Sequence, residues 1–369
     1  MKIQTATATK TANIIIDFFS NIDRIDDYFR LRKIERVKNL PSPIPGFCLE
    51  DDMFQNYDML PEDMDIEVTQ IDNQTFNTML EKVASFSPDQ APGKELKLVV
   101  KERNTNTILG FIKLGSPIIN SKPRNNYLGA VPELTIFNQR AIMGFVIVPV
   151  QPFGFNYLGG KLMALICTSH KVREMLNEKY NTEFCLFETT SLYGNIKGMS
   201  MYDGLKPFLR FKGDTESKFV PTLGEESYFL CKKLIEDDIQ DDIIHKGASS
   251  RKLKITSKMI SLVKSSLKET DITLYEKFVS AIKKAEGVTT QKRFYMSDYG
   301  YENARDVLLG KTETLIKGPN YHKHDLENII SWWKRKATSR YNKLKEQNKV
   351  RNELEVWNKD TMNTIDIIR

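Results

Sequence analysis

The most apolar run in the chain, Ile142 to Val148, is short and rich in β-branched residues, the pattern of a buried strand. Pro149, Pro152 and Gly154 end it. Beyond them Leu158, Leu162, Leu165 and Ile166 recur at helical spacing, with Asn156 placed to cap the helix and Gly159 and Gly160 in its first turn. A second helix is expected over Lys171–Tyr180, then a strand over Phe184–Thr189. A glycine-broken loop from Gly194 to Gly198 leads through Ser200–Leu205 to a last strand, Pro207–Lys212, stopped by Gly213.

Upstream, residues 12–38 read as a helix with Ile22, Ile25, Tyr28 and Phe29 on one side, broken by the proline-rich stretch Leu40–Gly46. The acidic segment that follows, Glu50 to Glu67, lacks the ligand spacing of a calcium loop and reads as solvated. Thr75–Phe86 is expected to be helical. Leu96–Glu102 and Ile108–Leu114 form a hairpin across Asn104–Asn106. A polar loop, Asn120–Gly129, carries Lys122 and Arg124, which can face a phosphate or simply sit at the surface. After Gly213 the period is helical: Glu225–Ile244, residues 249–268, Ile272–Glu286 with Asp271 as its cap, Tyr299–Leu309 and Asp325–Lys345.

These patterns predict an α/β (α+β) protein: an N-terminal helical arm and acidic loop over 1–69, a mixed-sheet core over 70–215 and a helical, basic region over 216–369. No run approaches the roughly 18 apolar residues of a membrane-crossing helix, so no membrane is expected as a partner. No signal peptide is read at the N-terminus. Four scattered cysteines, without a C-x-x-C pair, suit a reducing cytosol and point to a cytoplasmic protein with no zinc site.

Charge sharpens the picture. The formal net charge of +6 conceals an asymmetry: residues 251–369 hold 25 Lys/Arg against 15 Asp/Glu, whereas residues 1–250 hold 29 against 33. A basic end points to a polyanion, with a solvated helical surface as the bland alternative. From Lys334 to Arg351 eight basic residues face one acid, Glu346, just after Trp332 and Trp333. Those tryptophans can anchor the helix while Lys334, Arg335, Lys336 and Arg340 either track phosphates or keep it soluble.

Candidate chemistry is sparse. Four histidines without a G-x-S-x-G word give no nucleophilic site, and Gly159-Gly160-Lys161-Leu162 is not a P-loop. The free N–H groups of a helix start nevertheless make Asn156, Tyr157, Leu158, Gly159, Gly160 and Lys161 a candidate anion cradle. Glu188, Thr189 and Thr190 end a strand where they can orient a substrate amine or base, and Tyr193 can stack on one.

The words PFGFNYLGGKLMALICTS and FETTSLYGNIKGMSMYDGLKPFLRF, with NSKPRNNYLG upstream and the Trp-Trp segment downstream, resemble the DruA-like family of the Druantia anti-phage system. The order of elements also resembles the acyltransferase fold called GNAT and the Mom-like DNA-modification proteins of phages, which act on adenine in DNA. That second likeness implies an acyl-CoA-like or other pyrophosphate-bearing donor at residues 156–161, although Asn156 and Lys161 depart from the usual Q/R-x-x-G-x-G/A turn. It also implies Tyr202 as general acid toward a leaving thiolate. A phenol suits that task because the two unperturbed pKa values differ by about one to two units. The expected partner is DNA, and a non-catalytic DNA-binding component or a protein-interaction module are the alternative roles.

Overall fold

The computed structural model describes residues 2–39, 50–86, 93–192, 198–216, 222–244, 251–288 and 291–367. Leu40–Gly46, Tyr193, His245 and most of the Gly194–Gly198 loop lie outside those residues.

The chain is a mixed α/β protein built as two compact units, Met1–Leu40 with Ser217–Thr290 and Met362–Ile368 in one, and Pro41–Glu216 with Gln291–Thr361 in the other. In the first unit the expected helix over 12–38 is two helices, Thr5–Ser20 and Ile25–Lys38. The break falls where the Asp27 carboxylate accepts from the Arg24 N–H and starts the second helix. Glu225–Ile239, Arg251–Thr270 and Ile272–Glu286 complete this unit, and Asp271 caps the last by accepting from the Leu274 N–H at 3.0 Å.

The second unit holds a seven-stranded sheet of β1 (Ile66–Gln70), β2 (Glu95–Glu102), β3 (Thr107–Gly115), β4 (Ala141–Pro149), β5 (Leu186–Ser191), β6 (Arg210–Asp214) and β7 (Arg293–Ser297). Their order is β1-β2-β3-β4-β5-β7-β6. Among the described residues β4 with β5 is the one parallel pair, running from Ala141↔Leu186 to Gly144↔Thr189. Beyond that point the two strands part: β4 continues against β3 to Pro149, and β5 continues against β7 to Ser191.

Side chains alternate between the two sheet faces. On one face helix Asn73–Val83 buries Phe76, Met79 and Val83 against Val99 and Phe111. On the other, helix Gly159–Cys167 buries Leu162, Met163, Leu165 and Ile166 against Leu98, Ile112 and Leu114.

Two strands escape the sequence reading. β1 lies in the stretch read as a solvated acidic loop, yet its alternate residues Ile66 and Val68 are buried. β7 lies in a stretch read as helical in character, and it pairs with both β5 and β6. Five residues flanked by polar sequence carry little periodic signal; the partners that fix β7 stand about a hundred residues upstream.

Candidate nucleic-acid interface

Past β4 the chain makes a one-turn helix, Phe153–Tyr157, then turns through Leu158 in a left-handed conformation (φ 55°) into Gly159–Cys167. Asn156 therefore lies inside a helical turn and is not the cap of the helix that follows. Its buried amide donates to the Arg351 carbonyl at 2.8 Å and accepts from the Arg351 N–H at 3.1 Å. Tyr157 is buried, donates to the Tyr57 carbonyl and stacks on Tyr341 with ring centroids 5.0 Å apart. Gly159 is required by close packing, since a Cβ there would stand 2.6 Å from the Phe153 ring. Gly160 backs onto Met201, whose sulfur would lie 2.8 Å from such a Cβ.

Helix Leu326–Glu346 packs on this turn. Ile329, Trp333, Ala337, Tyr341 and Leu344 recur every three or four residues and form its buried stripe. The Trp333 indole N–H donates to the Tyr157 carbonyl at 2.9 Å, so the tryptophan locks the basic helix onto the glycine-bearing turn. The 156–161 and 334–340 segments, far apart in sequence, are thus one place in the fold.

The four basic residues expected to act together spread around the helix. The Lys334 ammonium donates to the Glu62 carbonyl on one flank, and Arg335 points outward. Lys336 lies over the Trp332 ring on the other flank, and Arg340 follows it there one turn later. The Arg340 guanidinium sits 4.8 Å from the Phe155 ring centre, and that of Arg351 sits 3.9 Å from it. Phe155, half-buried, is therefore held by two cations. Arg351 also pairs with Glu355 at 2.8 Å in solvent. Among the described residues Lys334, Arg335, Lys336, Arg340, Lys343, Lys345 and Lys349 form no ion pair.

Lys161 points elsewhere, donating to the Asp203 carbonyl at 2.9 Å. Burial holds its pKa below the usual lysine value, and the nearby Lys336 charge acts in the same direction against the pull of Asp203.

Lys122 and Arg124 are not on a loop. They begin a helix, Lys122–Leu128, in which Lys122 is exposed and paired with Glu216 at 2.7 Å. Arg124, read as facing a phosphate or simply sitting at the surface, is fully buried instead. Its guanidinium donates to both Glu188 carboxylate oxygens at 3.2 and 3.3 Å, to the Ile118 and Ile119 carbonyls, and lies 4.2 Å from the Phe137 ring centre. Burial pushes the Glu188 carboxyl up to about 7, with the Arg124 charge pulling it down. Arg124 cannot touch DNA without being uncovered.

Tyr202 and Glu188 are not brought together. The Tyr202 ring packs edge-on against Tyr295 at 5.3 Å. Tyr295 stands opposite Thr189, and so on the sheet face that Glu188, the next residue along β5, turns away from. Phe155 and Arg351 were missed as a pair by sequence reasoning. Each is visible inside a word already noted, but nothing along the chain relates two residues so far apart.

The fold and site define a mixed α/β protein carrying, over an aromatic turn, a cationic helix whose lysines and arginines form no ion pair among the described residues. Residues 31–200 match the family model described as Druantia protein DruA, and over that stretch the chain is DruA-like. That family takes its name from the Druantia anti-phage system, so the resemblance implies a component of phage defence. No curated protein and no solved structure matches the chain.

Proposed function

We propose that this chain is a DNA-binding component of a DruA-type defence system, gripping the phosphate backbone along helix Leu326–Glu346 and the turn beneath it. The observation that carries this reading is Phe155 against both the Arg340 and Arg351 guanidinia, with Arg340 on helix Leu326–Glu346, whose cations form no ion pair among the described residues, and Arg351 beyond it, paired with Glu355. A helix that needed charge only for solubility gains from i,i+4 pairs with acids, and this one has none. Guanidinia braced against an aromatic ring are instead pre-positioned to present their N–H groups to phosphate oxygens. Replacing Lys336 and Arg340 by glutamate should abolish the gel-mobility shift of a duplex DNA fragment while the melting temperature stays within a few degrees. An unchanged shift would defeat the reading.

A second reading is supported by the sheet. Ligands of α/β proteins bind where adjacent strands part at their carboxyl ends. Here β4 and β5 part after Gly144 and Thr189, and helix Gly159–Cys167 begins just beyond β4. A GNAT-like transferase acting on a nucleobase, with a pyrophosphate-bearing donor and Tyr202 as proton donor, would use that crevice. Tyr202→Phe then lowers base modification on the order of a hundredfold. If the hydroxyl only completes a packed contact, the variant modifies DNA normally and loses about 1 kcal/mol of stability.

A further inference from the structure

Asp203 is met by three donors, two at its carboxylate and one at its main-chain carbonyl. The Tyr295 hydroxyl donates to its Oδ1 at 2.8 Å, Arg293 Nη2 donates to the same oxygen at 3.2 Å, and the Lys161 ammonium donates to its carbonyl at 2.9 Å. Its Oδ2 accepts from the Ser200 N–H at 3.1 Å. Arg293 rests over the Phe211 ring at 4.4 Å, and Phe211 is itself 43% exposed, so the group lies near solvent. Burial pushes the Tyr295 phenol up to about 12, which keeps it a hydroxyl donor.

The fit is incomplete in one respect. Arg293 Nε is buried and has no hydrogen-bond partner among the described residues. Guanidinium recognition by two parallel N–H groups is the stronger mode, and a phosphate, with more oxygens than a carboxylate, accepts from Nε and Nη2 together. Asp203 meets Nη2 alone, and with an oxygen it shares with Tyr295.

We propose that Arg293 and Tyr295, with Lys161 held close by on the Asp203 main-chain carbonyl, form a phosphate-binding site that the Asp203 side chain occupies as an internal stand-in, and that a phosphate group on a ligand displaces it. Neither reading under the proposed function involves Asp203, and this site can exist whether or not DNA binds along the basic helix or a group is transferred. Displacement breaks the Asp203 contact with the Ser200 N–H, beside Met201, whose sulfur covers Gly160 at the start of helix Gly159–Cys167.

The test is a titration of the full chain with inorganic phosphate, followed by 31P NMR. Asp203→Asn removes the competing charge and should tighten phosphate binding at least tenfold; Asp203→Ser should do the same if the asparagine variant fails to fold. Adding Lys161→Met or Arg293→Met to either should return binding to the wild-type level or below. In the wild-type chain Lys161→Met should weaken phosphate binding several-fold, a result that needs no Asp203 variant. Competition by thymidine 5′-monophosphate but not by the dinucleotide TpT assigns a terminal phosphate, and competition by both assigns backbone phosphates as well. Absence of saturable binding, or binding indifferent to both Asp203 and Lys161, overturns the site.

Discussion

At the scale of single residues, the Arg124–Glu188 pair is the most consequential contact. Both side chains are fully buried, so neither can lose its partner cheaply. Arg124→Met or Glu188→Gln alone should cost about 3–5 kcal/mol, because an uncompensated charge or a set of orphaned donors remains in the core. Replacing both by methionine should cost far less than the sum, and chemical denaturation of the four proteins measures the difference. His170 makes a prediction about pH. Burial is the leading cause that pushes it down to about 4, while its hydrogen bond with the Tyr321 carbonyl acts in the other direction. The unfolded chain, with the ordinary value near 6.5, binds protons first as pH falls. Stability from this residue is therefore complete above about 6.5 and is lost as pH drops toward 4. The wild type should lose more stability than His170→Gln across that interval in urea titrations at each pH.

At the scale of elements, the strands with strong apolar runs were legible: β2, β3, β4 and β5 lie within a few residues of where alternation and β-branching put them. Helices Arg251–Thr270 and Ile272–Glu286 were equally plain from their amphipathic spacing. What was not legible depended on distant partners. β7 is placed by β5 and β6, Arg124 is buried by Glu188 sixty-four positions away, and Asn156 is engaged by the backbone of Arg351. The adjacent glycines illustrate the limit. They look equivalent in sequence, but a Cβ at Gly159 meets a packed aromatic ring and the Gly154 Cα, whereas one at Gly160 meets a flexible methionine. Gly159→Ala should cost about 1–3 kcal/mol from overpacking, and Gly160→Ala should fall within about 1 kcal/mol because Met201 can move. Thermal melts of the two variants check this order, and equal losses would show that the turn is looser than its packing.

At the scale of the whole molecule, the sign of the charge was readable and its arrangement was not. The sequence shows a basic C-terminal stretch, with 25 Lys/Arg against 15 Asp/Glu over residues 251–369. It does not show that Lys334 turns to Glu62 while Lys336 and Arg340 turn the other way, or that Arg351 completes the cationic surface at Phe155. Only the second group belongs to the proposed grip on phosphates. The distinction matters because non-specific affinity for DNA scales with the number of phosphates neutralised at once, through release of condensed counterions.

The most direct test of the account is the salt dependence of duplex DNA binding, measured by fluorescence anisotropy for the wild type and for a variant with Lys336→Glu, Arg340→Glu and Arg351→Glu. Each phosphate contact contributes about 0.9 to the slope of log K against log salt. The variant should bind more weakly at every salt concentration, and its slope should be shallower by about 2 to 3. A triple variant that remains folded, binds as tightly as the wild type and keeps the same slope would contradict the proposed DNA-binding surface at Phe155.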